Sequence, residues 1–197
     1  MHGPLVVGLT GGIGAGKSEA LAAFARRGAA TLSSDDLVRE LYERDDVRRA
    51  VREQFGDGVI DASGAVDRSK LAEVVFADAE QRRRLERLLL PLLWERFTSW
   101  RSGREAAGDR LLVHEAPTLF EAGVRDRYDL VVTVTAPAEL RERRRPGAGV
   151  RMAHQLPEQH KVARSDHVYV NDGSLDDLDR WVGELVERLT GSSCAGS

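Results

Sequence analysis

The segment Gly11-Gly12-Ile13-Gly14-Ala15-Gly16-Lys17-Ser18 fits the pattern G-x-x-x-x-G-K-[ST], and it decides the fold. Before it, residues 5–10 (LVVGLT) form a short apolar run typical of a buried strand, and the apolar residues after it follow helical spacing. Glycines allow successive backbone N–H groups to surround a phosphate at the positive end of a helix. This phosphate loop therefore predicts a nucleotide ligand, with Lys17 between the β- and γ-phosphates and the Ser18 hydroxyl on Mg²⁺.

A dinucleotide-binding fingerprint is the competing interpretation, since Gly12-x-Gly14-x-Gly16 is superficially similar to G-x-G-x-x-G. The third glycine comes one residue early, and the acid expected to bind a ribose about 20 residues further on has no clear counterpart. The sequence also contains no guanine-specifying N-K-x-D motif, which argues against a GTPase. A phosphate loop alone does not separate motor ATPases from small-molecule kinases.

The other apolar runs predict an α/β fold of three layers, α/β/α, around a mostly parallel five-stranded sheet. Continuous rather than alternating apolar runs are typical of strands buried on both faces of a parallel sheet. The predicted later strands are residues 29–32 (AATL), 110–116 (RLLVHEA), 129–136 (DLVVTVTA) and 167–170 (HVYV). After the second strand, a helix is predicted through about Phe55, and the last helix covers about residues 175–189.

A long stretch rich in Leu and Arg, residues 67–101, predicts helices interrupted at Pro91. It is too long for a simple strand-to-strand crossover and predicts a helical subdomain of about residues 58–107. Its apolar face is expected to be core: Leu71, Val74, Val75, Leu85, Leu88, Leu89, Leu92 and Leu93. This subdomain belongs to a single predicted domain, residues 1–191. The core of that domain is about residues 5–57 and 108–191, and the core includes a lid segment at about 141–155. Residues 192–197 are expected to be a disordered tail.

Composition excludes several classes of protein. The chain has 197 residues, of which 42% are hydrophobic and 31% charged, as in soluble globular proteins. A net charge of −3 gives no global positive field, so we expect no nucleic-acid partner. No run approaches the roughly 18 apolar residues of a membrane span, and the one cysteine, Cys194, suits a reducing compartment. We expect a cytoplasmic protein with no membrane partner.

Two acids follow the predicted second strand. A kinase needs a carboxylate near a strand end that can accept the proton of the acceptor hydroxyl as the γ-phosphoryl group leaves. Asp35 and Asp36 lie in that region of the chain, although acids there also serve as helix caps. The sequence pattern alone therefore leaves their role open.

Six segments, in order along the chain, resemble the motifs of one known family. They are residues 7–18 (VGLTGGIGAGKS), 28–39 (GAATLSSDDLVR), 68–76 (RSKLAEVVF), 117–123 (PTLFEAG), 155–161 (QLPEQHK) and 168–174 (VYVNDGS). The family is that of the dephospho-CoA kinases, and the resemblance covers about residues 5–190. It implies transfer of the γ-phosphoryl group of ATP to the ribose 3′-hydroxyl of dephospho-CoA, giving CoA and ADP, with Mg²⁺ as cofactor. The helical subdomain would then bind CoA, and the protein would be a monomer or a weak homo-oligomer.

The resemblance also implies roles for individual residues. Aligned on Gly28 and Arg39, the second aspartate of the family's D-A-D motif falls on Asp35, which becomes the base or orienting group for the hydroxyl. Glu115 is implied as a magnesium ligand through water, beside Ser18. Substrate contacts are implied for Asp35, Arg68, Pro117, Leu119 and Glu121. Around ATP, the implied residues are Gly12, Ile13, Gly14, Ala15, Gly16, Lys17, Ser18, Glu19, Arg145, Arg151 and Asn171, with Arg144 joining Lys17 and Asp35 as catalytic.

Several positions depart from the family pattern. Ser33 replaces the first aspartate of D-A-D, Leu90-Pro91 replaces His-Pro, and Glu19 replaces a Thr or Ser that would donate to the α-phosphate. The lid segment is short and contains Pro146-Gly147-Ala148-Gly149, which breaks a helix. Two alternatives therefore stay open: a kinase for another small hydroxylated acceptor, and a degenerate member that binds nucleotide or CoA with weak catalysis.

Overall fold

Five parallel strands form the sheet in this computed structural model, which describes residues 3–149 and 155–191. In chain order the strands are β1 (Leu5–Gly11), β2 (Ala30–Ser33), β3 (Leu111–Glu115), β4 (Leu130–Thr135) and β5 (His167–Val170). Their spatial order is β2-β3-β1-β4-β5, so the strand before the phosphate loop lies at the centre. The predicted α/β class and the five-stranded parallel sheet are confirmed.

The sheet and the helices around it form the first of two compact units, which comprises the chain up to Ser33 and from Ser102 onward. Its helices are α1 (Lys17–Arg26), α6 (Ala138–Arg144), α7 (Glu158–Ala163) and α8 (Leu175–Gly191). One hydrophobic core joins β1, β3 and β4 to α1 and α8, and it includes Val7, Phe24, Val132 and Leu185. Continuous burial along β1, β3 and β4 explains why their sequences are unbroken apolar runs.

The second unit, Ser34–Arg101, is helical. It contains α2 (Ser34–Tyr42), α3 (Asp45–Phe55), α4 (Arg68–Ala77) and most of α5 (Ala79–Ala106). Its own core includes Leu41, Val51, Leu71 and Leu89, and the predicted apolar face of residues 67–101 lies in or against this cluster. This division differs from the expected boundary, about residue 58, because α2 and α3 bury their apolar residues in the helical unit.

Two helix predictions are wrong. The helix expected from residue 34 to Phe55 is two helices, because Arg44 has an extended conformation (φ −75°, ψ 134°) at the start of α3. The predicted interruption at Pro91 is absent, since α5 continues through it. Pro91 is exposed, and the core residues Leu89 and Phe97 on either side of it are buried, so packing compensates for the lost backbone hydrogen bond.

Some expectations fall on parts of the chain that the structure does not describe. Arg151, Cys194 and the tail 192–197 lie outside the described residues. Within the described residues, no helix has both the length and the apolar character needed to cross a membrane.

Candidate active site

The phosphate loop connects the end of β1 to the start of α1 at the carboxyl edge of the sheet. Gly16 is the residue before α1, with φ +102°, a conformation that strongly favours glycine. A Cβ on Gly16 would overlap the side-chain nitrogen of Asn171, and a Cβ on Gly14 would lie 2.7 Å from the carbonyl oxygen of Arg141. The loop therefore follows its path because glycines let two other segments approach its backbone.

Lys17 points into the sheet unit rather than into solvent, with 9% of its surface exposed. Its Nζ donates a hydrogen bond to the carbonyl of Gly12 (3.1 Å) and lies 3.9 Å from Glu115 Oε1. Ser18 and Glu19 are exposed on the first turn of α1. The cation is thus fixed inside the loop, and the Ser18 hydroxyl is available at its mouth.

Glu115 ends β3 as a buried carboxylate, with 5% exposure. Parallel pairing places Ser33 of β2 opposite it, and the Ser33 hydroxyl donates to Glu115 Oε2 at 3.1 Å. The carboxylate thus has a hydroxyl on one oxygen and the Lys17 ammonium near the other. An aspartate at position 33 would place a second carboxylate there, so Ser33 supplies a donor where the family pattern has an acid.

Magnesium fits this arrangement by its chemistry, because carboxylate and hydroxyl oxygens are the hard ligands that it prefers. Within residues 3–149 and 155–191, no group of three His, Cys, Asp or Glu side chains is arranged to hold a metal ion. Glu115 and Ser18 are residues whose side-chain oxygens could bind such an ion.

Asn171 follows β5 and braces the phosphate loop. Its side chain is buried, and Nδ2 donates to the carbonyl of Ala15 at 2.8 Å. Its own carbonyl accepts a 3.2 Å hydrogen bond from Arg144 Nη1. The Asn171 amide therefore contacts the loop backbone, in addition to the place around ATP that the resemblance implies for it.

The lid segment, residues 141–155, begins within α6, which ends at Arg144 before the Pro-Gly-Ala-Gly sequence. The break is confined to residues 145–147, because Ala148 and Gly149 are helical again. The turn that follows is held by Glu142, whose carboxylate accepts hydrogen bonds from the backbone N–H groups of Gly147 (2.6 Å) and Gly149 (3.3 Å). Ala148 between them is 1% exposed. Arg144 and Arg145 are exposed, and the Arg144 guanidinium also donates to the Asn171 carbonyl.

The segment after β3 contains three expected substrate residues with different surroundings. The Pro117 carbonyl accepts from Thr10 Oγ1 (3.2 Å) and from Lys161 Nζ (2.9 Å). Glu121 Oε1 forms an ion pair with Lys161 Nζ at 2.8 Å. Leu119 is 1% exposed, and a Cβ on Gly8 would lie 2.5 Å from it, so it is a core residue and its placement does not support a direct substrate contact.

The remaining expected residues belong to the helical unit. Asp35 is exposed in the first turn of α2, and Arg68 is exposed at the first position of α4. Asp36, next to Asp35, forms an ion pair with Arg39 at 2.6 Å. Asp36 therefore belongs to an ion pair on the surface of α2.

Sequence reasoning missed His114, the residue before Glu115. His114 is 3% exposed, and its Nδ1 lies 2.8 Å from the hydroxyl of Tyr128. Burial lowers the pKa of His114 to about 4, and burial also raises the pKa of the Tyr128 hydroxyl. Both side chains are thus neutral near pH 7. No spacing pattern pairs these two residues, which the fold alone brings together.

A comparison with protein-family models matches residues 5–177 to the family described as dephospho-CoA kinase. The chain belongs to the dephospho-CoA kinase family. It is 40% identical over 191 residues to a dephospho-CoA kinase of Frankia casuarinae, covering 93% of this chain and 82% of that protein. It is 34% identical to a dephospho-CoA kinase of Aquifex aeolicus, covering 93% and 97% of the two chains.

Solved structures share the fold of this chain. A crystal structure of a Thermus thermophilus protein is similar with a TM-score of 0.81 and 32% identity, covering 95% of this chain and 99% of that one. A dephospho-CoA kinase of Campylobacter jejuni has a TM-score of 0.64 at 19% identity, over 93% and 96% of the chains, and shows the shared fold. As a family member, this chain carries the phosphate-loop motif at residues 11–18.

Proposed function

We propose that the protein phosphorylates the ribose 3′-hydroxyl of dephospho-CoA with ATP and produces CoA and ADP, the last step of CoA biosynthesis. Membership in the dephospho-CoA kinase family supports this substrate pair. The observation that carries the chemistry is the arrangement of Lys17 and Glu115, a cation and a carboxylate 3.9 Å apart beside a glycine loop. Together these groups can hold a triphosphate and its magnesium ion.

The phosphate loop holds the nucleotide in this proposal. Backbone N–H groups from Gly12 to Ser18, including those of Ile13, Ala15 and Gly16, surround the β-phosphate, and Lys17 neutralises the β- and γ-phosphates. Ser18 and Glu115 would hold Mg²⁺, and the bound ion would supply positive charge to the phosphates during transfer. A carboxylate cannot donate a hydrogen bond, so Glu19 does not supply the bond to the α-phosphate that a Thr or Ser would make there.

Asp35 receives the proton in the transfer step. The 3′-oxygen forms a bond to the γ-phosphorus while the bond between that phosphorus and the β–γ bridging oxygen breaks. The hydroxyl proton passes to the Asp35 carboxylate, and the electron pair of the broken bond leaves with ADP. Asp35 follows β2 by two residues, is exposed, and has a neighbour, Asp36, that already pairs with Arg39.

The arginines of the lid segment stabilise the transferring phosphoryl group. Arg144, Arg145 and Arg151 would contact triphosphate oxygens and replace water around them. Arg144 is already anchored near the loop by its hydrogen bond to the Asn171 carbonyl. Arg68, Pro117 and Glu121 are the proposed substrate contacts. A monomeric or weakly oligomeric state, a cytoplasmic location and the absence of nucleic-acid and membrane partners stay predictions.

A coupled ADP-release assay tests the proposed reaction. The purified protein with MgATP is expected to release ADP with dephospho-CoA at a rate at least a hundred times that without an acceptor. Other small hydroxylated acceptors, such as shikimate or adenosine, should give no more than the rate without acceptor. Binding of ATP without turnover on any acceptor would instead support a degenerate member of the family.

Asp35→Asn tests the base. Because the amide cannot accept the hydroxyl proton, we expect kcat to fall by about 10²–10⁴-fold while the dissociation constant for ATP changes less than threefold. Asp36→Asn is the matched control, since it removes an adjacent carboxylate that already pairs with Arg39, and kcat should stay within twofold of wild type. A kcat close to wild type in Asp35→Asn would overturn the assignment.

A further inference from the structure

Lys161 is the most deeply buried cation among the described residues of the sheet unit. It lies on α7 with 1% exposure, although lysine side chains are almost never fully buried without partners. The chain has three lysines, Lys17, Lys70 and Lys161, against 29 basic residues in all. Lys17 and Lys161 are buried, and Lys17 belongs to the phosphate loop. A buried lysine in a chain so rich in arginine requires an explanation from its contacts.

The Lys161 ammonium has three acceptors. Nζ lies 2.8 Å from Glu121 Oε1, 2.9 Å from the Pro117 carbonyl and 3.5 Å from Gln155 Oε1. An ammonium has three N–H donors and no acceptor, so this set satisfies it completely. The planar fork of an arginine would not reach three acceptors gathered around one point, which explains why lysine occurs here.

These acceptors belong to different segments of the sheet unit. Pro117 and Glu121 lie in the segment after β3, and the Pro117 carbonyl also accepts from Thr10, the residue before the phosphate loop. Gln155 lies at the end of the lid segment, and the N–H of Leu156 donates to Glu121 Oε1 at 3.0 Å. Lys161 therefore joins the approach to the phosphate loop, the segment after β3 and the end of the lid.

Burying an ion pair is costly, and an apolar pair of similar volume often gives equal or greater stability. A role in stability alone therefore does not explain this cluster. What the ammonium adds is a fixed geometry between segments that are separated in sequence by 44 residues, from Pro117 to Lys161.

We propose that Lys161 is a positioning residue that, through Glu121 and Pro117, holds the segment after β3 and the end of the lid in register with the phosphate loop. The inference rests on the proposed function, because the segment after β3 is the proposed contact for dephospho-CoA. Lys161 itself is covered by protein and touches neither substrate. Its loss is expected to act on the use of dephospho-CoA more than on the binding of ATP.

Lys161→Met tests the proposal, since it keeps an unbranched side chain and removes the charge. We expect kcat/KM for dephospho-CoA to fall at least tenfold and KM for ATP to change less than twofold, with assays well below the unfolding temperature. Arg125→Met is the matched control: it breaks a 2.8 Å ion pair with Asp166 in the same unit, beside Val131 at the opposite end of β4. It should lower the unfolding temperature and leave kcat/KM within twofold.

A loss of kcat/KM that simply follows the unfolding temperature in both variants would overturn the proposal. Glu121→Gln and the double variant with Lys161→Met complete the test. If Lys161 and Glu121 act as a unit, the double variant should lose no more kcat/KM than the worse of the two single variants. A loss equal to the product of the two single losses would contradict a shared role.

Amide hydrogen exchange separates this inference from the proposed function. Peptides covering residues 117–123 should exchange faster in Lys161→Met and stay at the wild-type rate in Arg125→Met. Unchanged exchange overturns the positioning role even if the wild type phosphorylates dephospho-CoA. A wild type that exchanges as expected but does not phosphorylate dephospho-CoA overturns the proposed function alone.

Discussion

Gly16 closes the phosphate loop with a positive φ while the buried amide of Asn171 packs against it. Position 16 therefore needs glycine for two separate reasons: its backbone conformation and the space taken by Asn171. The left-handed conformation costs a residue with a Cβ about 1–2 kcal/mol wherever it occurs. The overlap with Asn171 is particular to Gly16, because that amide is held by its hydrogen bond to Ala15 and cannot move without releasing the loop.

Gly16→Ala and Gly28→Ala separate these two reasons. Gly28 also has a positive φ (+81°), but a Cβ there meets no atom within 4 Å. We expect each substitution to lower the free energy of unfolding by about 1–2 kcal/mol, and Gly16→Ala alone to weaken ATP binding at least tenfold. Urea unfolding and titration with a fluorescent ATP analogue measure the two effects. Equal ATP affinity in the two variants would contradict the bracing role of Asn171.

His114 contributes a dependence of stability on pH. Its pKa is about 4 in the fold against an ordinary value of 6.5, because burial disfavours the imidazolium. Between those values the unfolded chain binds the proton and the folded chain does not, so stability falls as pH falls from 6.5 towards 4. With one pKa unit worth about 1.4 kcal/mol, the full loss amounts to about 3 kcal/mol.

His114→Asn tests this assignment, since an amide can replace Nδ1 as a partner of Tyr128 and does not titrate. We expect the variant to be less stable than wild type at pH 7 and the difference to shrink as pH falls to 4.5. Urea unfolding at several pH values measures the free energy of unfolding of wild type and variant. The carboxylates titrate in both proteins, so their contribution cancels when the two free energies are subtracted. A difference that stays constant with pH would show that His114 is not the group responsible.

At the scale of elements, α6 ends at Arg144 within the lid segment, and the Glu142 carboxylate contacts the backbone that follows. Glu142 of α6 accepts hydrogen bonds from the backbone N–H groups of Gly147 and Gly149, which lie beyond the end of α6. The same helix is close to the phosphate loop, where Gly14 faces the Arg141 carbonyl. A short lid can therefore hold a defined turn beside the loop.

Glu142→Ala should loosen this turn and lower kcat about three- to tenfold, because Arg144 and Arg145 would be less well positioned around the triphosphate. Glu139→Ala is the matched control, as Glu139 is exposed on the first turn of α6. Steady-state kinetics with ATP and dephospho-CoA measure both variants. Equal kcat in the two variants would remove Glu142 from lid function.

At the scale of the whole molecule, the two units have separate cores. The sheet unit contains the phosphate loop, Lys17 and Glu115, and the helical unit, Ser34–Arg101, contains Asp35 and Arg68. This division leads us to propose that nucleotide binds to the sheet unit and that the CoA moiety binds to the helical unit in addition to the segment after β3.

Amide hydrogen exchange with each ligand alone tests this proposal. ADP is expected to slow exchange at least fivefold in peptides covering residues 11–20, and CoA to slow exchange in peptides from residues 34–101. The physical reason is that a bound ligand stabilises the unit that it contacts against local opening. Protection by CoA confined to the sheet unit would contradict the assignment of the helical unit to substrate.

The sequence by itself determined the local features of this protein. The phosphate loop, its flanking strand and helix, the buried strands and the apolar face of the helical unit follow from patterns within about 20 consecutive residues, because backbone periodicity and glycine spacing act locally. Family motifs added Asp35 and Glu115 as candidates.

Only the tertiary structure decided the strand order β2-β3-β1-β4-β5, the continuity of α5 through Pro91, and the contacts that fix the site. Asn171 meets Ala15 across 156 positions of sequence, and Ser33 meets Glu115 across 82. No local pattern encodes such pairs, since their partners are set by how strands align and how buried groups find donors and acceptors. The burial of Lys161 belongs to the same class, because it results from three segments that meet only in the folded chain.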